Sequence, residues 1–170
     1  MIQKWNIKVI LKELLIGAVA IFILINIASY IRQPELSSNI LPNIEAKLLN
    51  GTDYRVNKSK PLVLHFWGTW CSTCKLEIGN FEYISKEYEV LTIAVNSGDN
   101  KKLKSYMEEK GLTFPVLNDS RGEWAKRFKI EVYPTTFIYD GNGELRFTEV
   151  GYTTTAGLLA RLALTNKYIK

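Results

Sequence analysis

Apolar positions fall into two regimes along the chain. From Leu14 to Ile31 they form one run, LLIGAVAIFILINIASYI, eighteen residues without a charge. As a helix at 1.5 Å per residue this run is about 27 Å long, close to the hydrocarbon thickness of a bilayer. Lys4, Lys8 and Lys12 precede it against the single acid Glu13, and only Arg32 follows closely. That bias keeps residues 1–13 in the cytoplasm and sends the rest of the chain outward, with Trp5 as an interfacial anchor. The run is longer than a signal-peptide core, and Tyr30 stands where cleavage would need a small residue. Residues 14–31 therefore read as an uncleaved transmembrane signal anchor.

After Ile31 the apolar runs shorten and alternate in period. Residues 32–42, with Gln33-Pro34 and Ser37-Ser38-Asn39, read as a linker, and 43–170 as one exported domain. Asn50-Gly51, inside IEAKLLNGTDYRV (44–56), predicts a hairpin whose two turn residues both take positive φ. LVLHFW (62–67), opened by Pro61, suits a strand covered on both faces. Helical spacing from Cys71 to Tyr88 nominates Leu76, Ile78, Phe81, Ile84 and Tyr88 for the core. A second buried strand is expected at Val90–Val95, and a helix from Asp99 carrying Leu103, Tyr106 and Met107 to a stop at Gly111. Further strands are expected at Phe114–Leu117, Thr135–Tyr139 and Leu145–Val150, the last two joined by Asp140-Gly141-Asn142-Gly143. Short and long helices are expected at Trp124–Phe128 and from Thr154 to Leu164. Behind the hairpin the order β-α-β-α-β-α-β-β-α predicts an α/β domain, a mixed central sheet with helices on both faces.

At 170 residues, 46% hydrophobic and 23% charged, the chain has globular composition and room for one domain of ordinary size. The net charge of +5 belongs partly to the anchor: without residues 1–31, 19 basic residues face 16 acidic ones. A domain so nearly balanced is not read as a nucleic-acid binder. Cys71, Cys74 and His65 are the only soft ligands, too few for a four-ligand zinc site, and no metal or other cofactor is expected.

Chemistry concentrates in FWGTWCSTCKLE, residues 66–77. Cys71 and Cys74 lie three apart where strand gives way to helix, so both sulfurs share one helical face. Cys71, in the first turn, meets unpaired backbone N–H groups and the positive end of the helix dipole, which favour thiolate over thiol. The thiolate is the nucleophile of disulfide exchange, and Cys74, one turn deeper, is placed to resolve a mixed disulfide. As a structural staple the pair would close too small a loop to restrict the unfolded chain much. His65, the only histidine, reads first as a hydrogen-bonded core residue. Glu77 reads either as a partner of Cys74 on one helical face or as a solvated helix carboxylate.

W-C-x-x-C between a buried strand and a helix, with Tyr133-Pro134-Thr135 ahead of the next buried strand, resembles the thioredoxin superfamily over residues from about 40 to 165. The leading hairpin, W-C-x-x-C-x-x-E and the membrane anchor are most similar to its TlpA/DsbE-like branch. Thr113–Asp119 and Phe147–Thr153 look like the ScsD (suppressor for copper sensitivity) subgroup within it. The resemblance implies a thioredoxin-like fold and a redox-active disulfide in which Cys71 attacks and Cys74 resolves. It also implies a cis Tyr133-Pro134 bond that leaves the Tyr133 backbone free to pair with an extended substrate. Trp70 would form an apolar floor for the partner's disulfide. The chain departs from the pattern twice. His65 stands where thioredoxins carry a buried, proton-shuttling aspartate, which leaves the relay to His65 or to Glu77, the acid of the TlpA/DsbE-like pattern. Gly79 stands where many relatives carry a helix-kinking proline.

The expected activity is thus thiol–disulfide exchange with exported protein thiols and disulfides, on the periplasmic or outer side of the cytoplasmic membrane. A membrane electron-relay protein is expected to recycle the cysteines. Ser72-Thr73 matches neither the Gly-Pro of reductants nor the Pro-His of a strong oxidant, and related folds span about −270 to −120 mV. The alternative is a copper-handling module with Cu(I) on the two thiolates. It fits less well, because copper-delivering relatives space their cysteines by three residues and add a later histidine. A peroxiredoxin-like reading lacks the expected threonine-x-x-cysteine context.

Overall fold

The computed structural model describes residues 7–57 and 59–166, so Lys4 and Trp5 lie outside the described residues. The chain divides into two units, Met1–Arg32 and Gln33–Lys170. In the first, α1 (Ile7–Ile31) starts well before the apolar run and takes Lys8, Lys12 and Glu13 into its opening turns. It buries no side chain and has a mean hydropathy of 2.5 over its most apolar stretch. Among the described residues it is the one helix long and apolar enough to cross a membrane.

The second unit begins with a two-stranded hairpin, β1 (Glu45–Lys47) and β2 (Asp53–Arg55). Its turn differs from the expected one, because only Gly51 takes a positive φ (88°) and its amide bonds back to the Leu48 carbonyl at 2.9 Å. Leu48 and Thr52 extend the loop, which lets Asn50 keep an ordinary conformation while its side chain accepts from the Thr52 amide.

Five strands make the main sheet: β3 (Leu62–Trp67), β4 (Glu89–Val95), β5 (Val116–Asp119), β6 (Thr135–Tyr139) and β7 (Leu145–Val150), in the order β5-β4-β3-β6-β7. β3 pairs parallel with β4 and antiparallel with β6, and β7 closes the antiparallel edge. β5 starts two residues later than the apolar pattern suggests. Pro115 has no N–H to give, and the Thr113 and Phe114 amides are held by the Glu82 carboxylate at 2.7 and 3.2 Å.

Side chains alternate across β3, and every one is buried. Leu62, Leu64 and Phe66 face a core shared with Leu41, Ile44, Phe128 and Phe137, under the short helix α4 (Glu123–Arg127). Val63 and Trp67 face the other way, toward α2 (Ser72–Ile84), α3 (Asn100–Glu109) and α5 (Thr155–Asn166). Helices thus cover both faces of a mixed sheet, as the element order predicts. Asp99 caps α3 by accepting from the Lys102 amide at 2.8 Å. α2 is continuous through Gly79. Its inward positions are Cys74, Glu77, Ile78, Phe81 and Ile84, whereas Leu76 is 76% exposed. The core assignment of Leu76 is therefore corrected: a carboxylate, not the leucine, occupies that inward turn.

Residues at the end of the expected linker are packed. Leu41 donates its amide to the Gly143 carbonyl, Leu145 donates to Asn39, both at 2.7 Å, and Ile40 bridges Glu144. Leu41 itself is 1% exposed. Leu41→Ala is expected to destabilise the Gln33–Lys170 unit by about 2–5 kcal/mol in urea unfolding. A loss under about 0.5 kcal/mol would show this residue to be a solvated linker position.

Candidate active site

The site forms where β3 ends and α2 begins. Trp67 closes the strand, and Gly68-Thr69-Trp70 turn the chain so that Cys71 becomes the N-cap of α2. Two bonds moor this turn to the end of β4. The Thr69 amide donates to Ser97 Oγ at 3.0 Å, and the Trp70 indole N–H donates to the Val95 carbonyl at 3.0 Å. A Cβ on Gly68 would lie 2.6 Å from the Trp70 indole, so the glycine is what lets the ring fold back over the turn.

Cys71 and Cys74 form a disulfide, with Cα atoms 5.3 Å apart. Cys71 Sγ accepts from the Cys74 amide at 3.1 Å, the bond an N-cap side chain makes. Cys71 keeps 7% of its surface exposed and Cys74 none, so the first sulfur is the one at the protein surface. Trp70 stands beside them 52% exposed, edge-on to the Tyr133 ring at 5.2 Å. The Tyr133-Pro134 bond is cis, Pro134 is buried, and its carbonyl accepts from the Gly151 amide at 2.9 Å. Tyr133 packs against the cluster that holds Trp67, Cys71 and Cys74. Trp70, both cysteines, Tyr133 and Pro134 are thus brought to one place.

Glu77 also belongs to this region, but beneath it. It is 0% exposed, which sets aside the solvated-carboxylate reading. Oε2 accepts from the Thr153 amide at 2.7 Å, while Oε1 lies 3.7 Å from His65 Nε2. His65 is equally buried, with Nδ1 2.9 Å from Thr136 Oγ1 and its ring stacked on Phe81 at 3.6 Å. Burial pushes the Glu77 carboxyl up to about 8, against a smaller downward pull from the Thr153 amide. Burial lowers His65 to about 3. Both groups are therefore uncharged in the folded protein at neutral pH.

Sequence reasoning missed the supports of this constellation. Thr136 stands opposite His65 in the β3–β6 register, a relation that strand alternation and a known pairing would have revealed. Gly68, Ser97 and the Thr153 amide carry no local signal. Among the described residues, no group of three or more His, Cys, Asp or Glu side chains is placed to hold a metal.

A model of the AhpC/TSA family matches residues 38–148, a span that contains both cysteines. The chain belongs to this thioredoxin-like family. It is 30% identical over 161 residues to a thioredoxin-like protein of Haemophilus influenzae, covering 92% of this chain and 95% of that one. It is 33% identical over 119 residues to the thiol-disulfide oxidoreductase ResA of Geobacillus thermodenitrificans, covering 68% and 67%. The crystal structure of StoA from Bacillus subtilis superposes with a TM-score of 0.63 at 29% identity, covering 72% of this chain and 98% of that one. With its Cys71-x-x-Cys74 pair, the chain is a thioredoxin-like thiol–disulfide oxidoreductase of the ResA/StoA type.

The buried pair leaves a mark on stability. Glu77 rises from 4.5 to about 8, so the folded state keeps a proton the unfolded chain releases; this contribution is full below 4.5 and lost as pH rises through 8. His65 falls from 6.5 to about 3, so its contribution is full above 6.5 and lost as pH falls through 3. Between about 4.5 and 6.5 the two proton balances cancel. The oxidised protein is expected to be most stable across that window and to lose stability from pH 6.5 to 8. Glu77→Gln should abolish the alkaline decline, measured by urea unfolding at each pH. An unchanged slope would place the proton elsewhere.

Proposed function

We propose that this protein exchanges disulfides with exported proteins on the periplasmic or outer side of the cytoplasmic membrane, with α1 as a single-pass anchor. The observation that carries the reading is the seating of Cys71 as the cap of α2, its sulfur 3.1 Å from the Cys74 amide. An amide aimed at the sulfur and the positive end of the helix both favour the thiolate, the form that attacks.

In the reducing direction, the Cys71 thiolate attacks one sulfur of a client disulfide. A Cys71–client bond forms, the client's own S–S bond breaks, and its second sulfur leaves as a thiolate. Cys74, once deprotonated, attacks Cys71 Sγ. The Cys71–Cys74 disulfide forms, the mixed disulfide breaks, and the client departs reduced by two electrons. The same steps reversed introduce a disulfide into a client. Glu77, three residues after Cys74 and buried on the same helical face, is in this reading the acid that returns a proton to Cys74 in the oxidising direction. Its ionised form, reached as pH rises toward about 8, is the base for Cys74 in the reducing direction. The half-exposed Trp70 supplies an apolar floor, and the Tyr133 backbone at the cis Pro134 bond pairs with an extended client segment.

α1 supports the membrane part of the proposal, through its length and through Lys8 and Lys12 ahead of its apolar stretch. A tethered enzyme meets other membrane proteins at high effective concentration, which suits a membrane electron relay as the recycling partner. The likeness to the ScsD subgroup rests on residues 113–119 and 147–153. It adds copper tolerance to the proposal only through exchange of disulfides that oxidising copper creates.

Cys74→Ser, expressed as the full chain in membranes, is expected to accumulate mixed disulfides with exported proteins. These should be visible as reductant-sensitive adducts on gels, and Cys71→Ser should accumulate none. Adducts on Cys71→Ser but not on Cys74→Ser would reverse the roles, and none on either would remove protein disulfides as substrates.

A further inference from the structure

His65 is a buried titratable group that the exchange steps leave without a task, and its surroundings are specific. β3 delivers it to the α2 face of the sheet, where two residues one helical turn apart grip it. Phe81 stacks on the ring with centroids 3.6 Å apart and planes 17° off parallel, while Glu77 faces its Nε2 edge. The far edge is set by β6, where Thr136 Oγ1 lies 2.9 Å from Nδ1. His65 Nε2 and Glu77 Oε1 are both buried, 3.7 Å apart, and among the described residues neither has a hydrogen-bond partner. A turn of the carboxyl that closes this gap to ~2.8 Å would satisfy both at once.

The donors decide which atom carries the proton. Oε2 of Glu77 already accepts from the Thr153 amide and so behaves as the carbonyl oxygen of a carboxylic acid. Oε1 is then the hydroxyl, aimed at Nε2. A neutral imidazole has one N–H and one lone pair. If Nε2 accepts, Nδ1 must donate, and Thr136 Oγ1 stands in line to receive it.

We propose that His65 is a positioning residue: held by Thr136 in the Nδ1–H form, it presents the Nε2 lone pair to Glu77 and keeps that carboxyl protonated. The inference rests on the reading above, in which Glu77 exchanges a proton with Cys74. Its effect is to keep the acid loaded. When Glu77 gives its proton to the Cys74 thiolate, the carboxylate left behind faces a lone pair instead of a donor, and so recovers a proton readily. The opposite tautomer would give Glu77 a donor, favour the carboxylate, and leave the site without an acid at neutral pH. Groups facing the pair from each side are Thr136 on β6, the Thr153 amide before α5, and Cys74 and Phe81 on α2. Among the described residues, no other charged side chain forms an ion pair with either partner.

Because the chain holds one histidine, ¹⁵N-histidine labelling of the full chain in detergent reads a single ring. The proton is expected on Nδ1, with Nε2 unprotonated, near pH 7. A proton on Nε2 overturns the proposal, whatever the enzyme's activity. Thr136→Val is the second arm: it removes the Nδ1 acceptor without touching Glu77 and replaces a hydroxyl by a methyl of similar size. His65 should then move its proton to Nε2. The Glu77 carboxyl midpoint, followed by ¹³C-glutamate NMR and assigned with Glu77→Gln, should fall by about one pH unit or more. An unmoved midpoint in folded Thr136→Val also overturns the proposal. The pH profile of thiol–disulfide exchange separates this inference from the reading beneath it. A profile unchanged by Glu77→Gln, together with an Nδ1 proton and a shifted midpoint, would remove Glu77 from the exchange and uphold its coupling to His65.

Discussion

β3 lies at the centre of the main sheet, hydrogen-bonded to β4 on one side and β6 on the other, with packed layers over both faces. Any polar side chain it carries must therefore find its partner inside the protein. The strand carries one ionisable side chain, His65, and Thr136, Glu77 and Phe81 are gathered around it. Thr136 answers at Nδ1 from the neighbouring strand, Glu77 on the helix above stands 3.7 Å from Nε2, and Phe81 covers the ring. The same strand ends at Trp67, so the turn that launches α2 and seats Cys71 at its cap starts from a fixed point. The redox pair and the acid beneath it are thus registered to each other through one strand and one helix.

Much of this is written locally in the chain. The continuous apolar run 62–67, the helix start at the cysteines, the Asp99 cap and the two strands at 135–139 and 145–150 all fall where pattern and turn chemistry put them. The misplacements have physical causes. Leu76 looks like core because its spacing is helical, yet the inward position of that turn belongs to Glu77, and no periodicity argument assigns a carboxylate to the interior. β5 begins late because Glu82, more than thirty residues away, claims the Thr113 and Phe114 amides. Residues 39–41 look like linker because their partners, Gly143, Glu144 and Leu145, are about a hundred residues distant.

The site is legible to the same depth. Cys71 and Cys74 announce themselves by spacing and place, and residues 133–135 by likeness to a family whose membership the comparisons establish. Thr136, Gly68 and Ser97 are silent until the sheet is assembled, because each acts across strands or through space that a neighbouring ring must occupy. The histidine of the core strand is where its reading puts it, and the glutamate of the helix takes the inward one of its two readings, 3.7 Å from the histidine.

Holding His65 and Glu77 as a neutral pair out of water has an effect on how the enzyme meets its surroundings. Dissolved ions shift the titration of exposed charges by screening them, but they gain little purchase on groups that are uncharged and unreachable. The proton held between β3 and α2 is therefore insulated from ionic strength. Its occupancy follows pH far more than salt concentration.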